Sequence, residues 1–178
     1  MRTLIICTLP ETDSACGGDM QIFMENKADC EVVYTERFKI SHCVGCTDCW
    51  LKTPGICAIK DDFEVLFEKF IKADCVIFLT EAKLGFISYK MKNVVDRLIP
   101  LAVPYTTIHN GEMRHVSRYK KHWYLGLLFS GNGDKEYLNI WLNRFALNFF
   151  STSLGAYNIE ESERLFNGFE NLQLLAKS

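Results

Sequence analysis

Short apolar runs alternate with amphipathic stretches along the whole chain, and this alternation constrains the fold more than any composition value. Residues 3 to 7 form a continuous apolar run ended by Pro10, which suits a strand buried on both faces of a parallel sheet. Residues 14 to about 27, with Met20, Phe23 and Met24 on one side, read as a helix, and residues 31 to 34 as a second, more exposed strand. Asp61 stands at an N-cap position with Glu64 three residues later, a capping-box pattern, and Phe63, Leu66, Phe67, Phe70 and Ile71 then line one helix face. That helix leads through Ala73 and Asp74 into residues 75 to 80, the most apolar strand. Met91, Val94, Val95, Leu98 and Ile99 mark a further helix, stopped by Pro100. Residues 123 to 129 read as a fourth strand. Leu138, Trp141, Leu142, Phe145 and Phe149 form the buried face of a helix, 153 to 159 a fifth strand, and about 163 to 176 a last helix.

Strands alternating with helices predict an α/β protein with a parallel sheet covered on both sides. Five strands in 178 residues match the flavodoxin-like doubly wound order 2-1-3-4-5, a three-layer αβα arrangement, as a single domain over 1–178. No repeat or linker interrupts it. With 48% hydrophobic residues there is material for one core, and 20 basic against 22 acidic side chains create no basic field. Nucleic-acid and membrane-surface roles are therefore not expected. The apolar runs fall far below the ~20 residues of a spanning helix, and the first of them breaks at Pro10 and Glu11 without the form of an export signal, so the expected location is cytoplasmic.

Residues 100 to 121 are too long for a simple turn. They hold Pro100, Pro104, Asn110-Gly111, the basic residues Arg114, Arg118, Lys120 and Lys121, and His109 and His115. They read either as a solvated basic loop or as a cover over an anionic cofactor or a dimer contact.

Eight cysteines (7, 16, 30, 43, 46, 49, 57 and 75) in such a chain should stay reduced. Four of them fall between 43 and 57, a concentration with a physical reason in metal or redox chemistry. In an open parallel sheet, ligands bind beyond the carboxyl ends of the strands where strand order reverses, here beside strands one and three. The segments that matter are 8 to 14, 80 to 88 and 130 to 134.

The stretch His42-Cys43-Val44-Gly45-Cys46-Thr47-Asp48-Cys49, followed by Pro54-Gly55-Ile56-Cys57, Lys60-Asp61-Asp62, Ala73-Asp74-Cys75-Val76-Ile77-Phe78 and Lys92-Asn93-Val94-Val95-Asp96-Arg97, resembles the NAD(P)H-dependent FMN reductase family of flavodoxin-like proteins, including its iron-sulfur flavoprotein branch. Residues of about 43 to 97 carry the resemblance. It implies FMN at the switch point, a homodimer or homotetramer that helps complete the flavin site, and electrons passing from NAD(P)H to a quinone, another small acceptor or a redox protein. The FMN contacts would come from Thr8, Thr12 and Ser14, from Thr80, Glu81, Ala82, Lys83, Leu84 and Gly85, and from Ser130, Gly131, Asn132 and Gly133.

Two loops depart from the family's pattern. Where the family reads approximately Gly-Ser-Pro-Arg, this chain has Thr8-Leu9-Pro10-Glu11-Thr12-Asp13-Ser14, which sets two carboxylates near a phosphate. The family's Pro-x-Tyr after strand three is replaced by positions around Glu81 and Lys83.

Cys43, Cys46, Cys49 and Cys57 form Cys-x2-Cys-x2-Cys-x7-Cys. The tight opening lets successive thiolates wrap a 4Fe-4S cluster, and the Pro54-Gly55 turn brings Cys57 back as fourth ligand. Unliganded thiols and a tetrahedral zinc site are the alternatives. Cys7, Cys16, Cys30 and Cys75 read as buried or incidental thiols, Trp123 and Trp141 as core, His42 as a surface loop residue, and Asp96-Arg97 as a structural ion pair or helix C-terminal contact. The expected function is an FMN-dependent oxidoreductase. The alternatives are a flavodoxin-like binding or regulatory module that has lost FMN, and a cluster-bearing electron carrier.

Overall fold

The computed structural model describes residues 1–13, 29–109 and 111–175. The helix expected over 14 to 27, with Ser14 and Cys16, lies outside the described residues. Strands are β1 (Thr3–Cys7), β2 (Cys30–Tyr34), β3 (Cys75–Ile87), β4 (Ala102–His109), β5 (Glu112–Ser117), β6 (Tyr124–Gly133) and β7 (Thr152–Asn158). Helices are α1 (Asp48–Leu51), α2 (Phe63–Lys72), α3 (Tyr89–Asp96), α4 (Lys135–Asn148) and α5 (Ser162–Leu175). Five strands pair in the order β2-β1-β3-β6-β7, every neighbour parallel, so the expected 2-1-3-4-5 order holds once the separate pair β4-β5 is set aside.

The period-two pleat divides the strands between two apolar layers. Leu4, Ile6, Val76, Phe78, Leu125 and Leu127 pack with the apolar faces of α2, α3 and α4. Ile5, Cys7, Ile77, Leu79 and Leu128 pack with Leu165, Phe166 and Phe169 of α5. Both faces are covered, which is why β1 and the first half of β3 read as unbroken apolar runs. Each such side chain, fully buried, contributes about 1.5–3 kcal/mol. Among the described residues no helix is long and apolar enough to cross a membrane.

The segment 100 to 121 is corrected from a loop to an antiparallel hairpin, β4-β5, with His109 opposite Glu112. The reason lies in Asn110-Gly111, a pair suited to a two-residue turn, with Gly111 at φ +78 where only glycine is unstrained. The hairpin is joined to the body at its base, where the Arg118 N–H donates to the Leu101 carbonyl (2.8 Å) and the Arg118 Nε–H to the Pro100 carbonyl (2.9 Å).

The start of α2 is also corrected. Asp62 occupies the N-cap position and makes no side-chain cap bond there. Asp61 accepts from the Phe63 N–H (3.1 Å) but spends its other oxygen on Arg97, and Glu64 pairs with Lys60 (3.8 Å) rather than closing a capping box. Asp96 and Arg97 pair with different partners: Asp96 with Lys92 one turn back, and Arg97 with Asp61.

Candidate functional site

The carboxyl ends of β1 and β3 open onto a cleft of about 500 Å³, within the roughly 300–1,000 Å³ of ligand pockets. Thr8, Leu9, Pro10 and Asp13 line it after β1, Glu81 and Lys83 along the end of β3, and Ser130 and Gly131 from β6. Of the residues expected from sequence, Thr8, Glu81, Lys83, Ser130 and Gly131 are therefore brought together. Thr80 lies beneath them, fully buried. Thr12, Ala82, Leu84, Gly85, Asn132 and Gly133 are not in the lining, and Ser14 lies outside the described residues.

Sequence reasoning missed Tyr89 and Lys90, which complete the lining with Ser88. Ser88 caps α3, its Oγ accepting from the Met91 N–H (3.4 Å), so the next two residues stand at the mouth with Tyr89 exposed. The available signal was the Ser-x-x-Met helix start two residues after Phe86.

One wall of the cleft exists because β3 and β6 keep pairing beyond the sheet, Glu81 opposite Ser130 and Ala82 opposite Gly131, before the register shifts at Gly85 and Gly133. Gly131 allows this: its φ is +79, and a Cβ there would stand 3.0 Å from the Ala82 carbonyl oxygen.

The floor is a chain of buried hydroxyls. Thr8 Oγ1 donates to Thr80 Oγ1 (2.9 Å), and Thr80 Oγ1 meets Ser88 Oγ at 2.9 Å. Thr80→Val removes the central member and leaves the other two short of a partner. We expect about 1–3 kcal/mol lower stability, read as a lower urea midpoint at unchanged slope; an unchanged midpoint would contradict the network.

Charges around the cleft are balanced rather than repulsive. Glu11, expected near a phosphate, is instead paired with Arg37 beyond β2, and its own N–H donates to Glu36 (2.9 Å). Glu81 and Lys83 pair with each other at 3.1 Å. Asp13 remains in the lining, with Lys90 contributing a second cation. The expected opposition of two carboxylates to a phosphate is thus reduced to one.

The four clustered cysteines lie on one segment between Ser41 and Ile59, with Cys49 inside the short α1. Left-handed backbone at Gly45, Thr47 and Gly55 folds it. The Gly55 N–H donates to the Cys49 carbonyl (2.9 Å) and Thr53 Oγ1 to the Ile56 carbonyl (2.8 Å), so the Pro54-Gly55 turn returns Cys57 toward Cys49. Burial raises the Cys49 thiol, and the neighbouring Cys57, Cys43 and Cys46 raise it further. The donor set suits an iron-sulfur cluster in identity and in its origin on a single loop. Yet among the described residues no three His, Cys, Asp or Glu side chains are drawn together closely enough to hold a metal ion. Cys43 lines a depression with Trp141 and Phe145, and Cys57 lines another with Phe63 and Tyr119.

Elsewhere, burial pushes the Cys30 thiol up to about 11 and Cys75 higher still, so both stay protonated, in keeping with their reading as inert thiols. His42 is exposed. Trp123 is core, and Trp141 is half-buried, stacked on Phe145 at 5.4 Å.

No family model matches the chain. It is 33% identical over 69 residues to an iron-sulfur flavoprotein of Archaeoglobus fulgidus, 39% of this chain and 33% of that protein. It is 33% identical over 89 residues to an iron-sulfur flavoprotein of Methanocaldococcus jannaschii, 50% of this chain and 44% of that protein. The matches thus span a third to under a half of those relatives' length. Among solved structures, an NAD(P)H:quinone oxidoreductase from Methanothermobacter marburgensis superposes with a TM-score of 0.59 at 14% identity, over 94% of this chain and 95% of that one. An FMN-dependent NADH-azoreductase from Bacillus anthracis str. Ames Ancestor, in complex with FMN, superposes with a TM-score of 0.52 at 13% identity, over 99% and 98% of the two chains. A flavodoxin-like fold shared with these reductases, and sequence shared with iron-sulfur flavoproteins, bear out the resemblance to the NAD(P)H-dependent FMN reductase family that residues 43 to 97 carry.

Proposed function

We propose that the chain is an FMN-dependent oxidoreductase that takes electrons from NAD(P)H and delivers them to a quinone, another small acceptor, a redox protein or a 4Fe-4S cluster on its cysteine loop. The observation that carries this reading is the cleft at the strand-order reversal, walled by the ends of β1, β3 and β6. FMN, when bound, supplies the capacity to accept a hydride and release electrons singly.

The chain's own part is to bind and orient. Thr8, Ser130 and the backbone beside Gly131 offer polar contacts, Lys83 and Lys90 offset anionic charge, and the exposed Tyr89 ring stands where a planar group enters. Pairing of Glu11 with Arg37 removes one carboxylate that would oppose a phosphate. Cys43, Cys46, Cys49 and Cys57 would hold the cluster, the thiols drawing together within a loop whose stems stay fixed. A homodimer or homotetramer belongs to the same reading, with Tyr105, Ile108 and Met113 offering exposed apolar surface on the hairpin.

Purification without air, with FMN and iron supplied, tests it. The expected result is retained flavin, read from the visible spectrum, with NADH bleaching the flavin bands. A colourless chain that does not hold added FMN overturns the enzyme reading and leaves a binding or regulatory module. Cys46→Ser should lose iron and the broad iron-sulfur absorbance while keeping flavin; full iron content in that variant rejects the cluster.

A further inference from the structure

The geometry points to Arg97 as a positioning residue that fixes both ends of the cysteine loop at once. Arg97 follows α3, is 2% exposed, and comes from an element remote in sequence from the cysteines. Its Nη1 donates to the Ser41 carbonyl (3.1 Å), two residues before Cys43. Its Nη2 donates to the Ile59 carbonyl (3.3 Å), two residues after Cys57. One planar guanidinium therefore spans the two stems between which all four thiols lie.

Asp61 completes the clamp. One of its oxygens takes Arg97 Nη1 (2.5 Å) and the Ser41 N–H (2.8 Å), while the other takes the Phe63 N–H (3.1 Å) at the start of α2. A second rung lies beside it, where Asp62 accepts from the Lys39 N–H (2.7 Å) and returns its own N–H to the Lys39 carbonyl (3.1 Å). The guanidinium sits over the Phe63 ring at 4.4 Å.

The arrangement is not one that stability alone selects. Buried ion pairs are often no more stabilising than apolar residues of similar volume, and this one leaves Arg97 Nε buried without a partner among the described residues. What the planar fork supplies, and an apolar side chain does not, is simultaneous reach to two carbonyls and a carboxylate. The stems are held at a set separation, and the closure that ligation demands is confined to residues 42 to 58. In naming a cluster as cargo this inference rests on the proposed function; the clamp itself does not.

The test uses the reduced chain and the double variant Asp61→Asn/Arg97→Met. It removes both charges together, keeps one acceptor oxygen for the Ser41 or the Phe63 N–H, and fills the volume. Three quantities are read: thermal midpoint, amide hydrogen exchange, and affinity for Co2+ from the thiolate-to-cobalt charge-transfer absorbance. A midpoint below wild type but above that of Arg97→Met alone is expected, because no charge is stranded, with faster exchange confined to residues 42 to 58. Co2+ affinity should fall about 10–100-fold, the usual cost of losing a group that orients metal ligands.

Arg97→Lys, which keeps the charge beside Asp61 but lacks the fork, should show the same Co2+ loss. It carries the test alone if the double variant does not fold. Unchanged exchange and unchanged Co2+ affinity in a folded variant overturn the clamp. A wild-type chain that binds no Co2+ overturns the cluster reading instead, and the exchange comparison then decides the clamp by itself.

Discussion

Replacing Arg97 alone with methionine lowers folding stability by about 3–5 kcal/mol, the range for breaking a buried pair by removing one partner. The Asp61 side chain, 4% exposed, is then left charged without its guanidinium, and the Ser41 and Ile59 carbonyls lose a donor. The pH dependence identifies the cause. In the wild-type chain burial pushes the Asp61 carboxyl up, but the Arg97 bond and the Ser41 and Phe63 N–H groups outweigh it and hold the carboxyl below its ordinary value. A carboxyl depressed in the folded state contributes stability that is fully present above its unfolded pKa of about 3.9. That contribution is lost as pH falls through the lower folded value.

Removal of Arg97 takes away the largest lowering influence, so the carboxyl moves up and protonates more readily when folded. The variant's deficit is then largest near neutrality and shrinks as pH falls toward the unfolded carboxyl value of about 3.9. Urea unfolding at both pH values checks this. A deficit that does not vary with pH would assign the loss to packing over Phe63 rather than to the stranded charge.

Trp123→Ala is the second large effect, about 3–5 kcal/mol for a buried tryptophan. Trp123 is 0% exposed and packs against the Phe70 ring at 5.7 Å, with its Nε1–H donating to the Phe70 carbonyl (3.2 Å). That carbonyl also accepts from the Ala73 N–H (3.2 Å), so the cost is mainly the cavity rather than an orphaned acceptor. Its position makes the prediction selective. Trp123 precedes β6, where the Tyr124 N–H bonds the Asp74 carbonyl (2.9 Å), at the opposite end of the strands from Thr8, Glu81 and Ser130. Thermal unfolding should shift far downward, while FMN retained per folded chain, measured well below the new midpoint, stays at the wild-type level. Loss of flavin in step with stability would show that the cleft depends on the base of the sheet.

Much of the architecture was legible in the chain itself. The run at 3 to 7 coincides with β1, and the apolar face from Phe63 to Ile71 lies in α2. Residues 75 to 80 form the first half of β3, which runs on to Ile87 because Gly131 and Gly133 admit continued pairing with β6. The site was legible in outline: three segments were singled out, and all three meet at the cleft. Their polar details were not. Glu11 looked like an obstacle to an anion because its neighbours in sequence say nothing of Arg37, 26 residues away. Basic residues in 100 to 121 suggested a solvated loop, a cover over a cofactor or a dimer contact, and hid a strand pairing whose one local signal was the Asn110-Gly111 pair in the sequence.

The division has a physical basis. Strand and helix identity and the grouping of four thiols depend on spacings of two to eight residues, because pleat, helical turn and loop reach act over that range. The sequence by itself therefore determined the layered sheet, the ends of the strands where a ligand enters, and the segment able to gather sulfur. Tertiary structure alone decided which charges neutralise which. Asp61 finds Arg97 across 36 positions and Arg97 finds Ser41 across 56, and such pairs form only after the sheet and helices have brought distant segments together in a buried, low-dielectric place where an unpaired charge is costly.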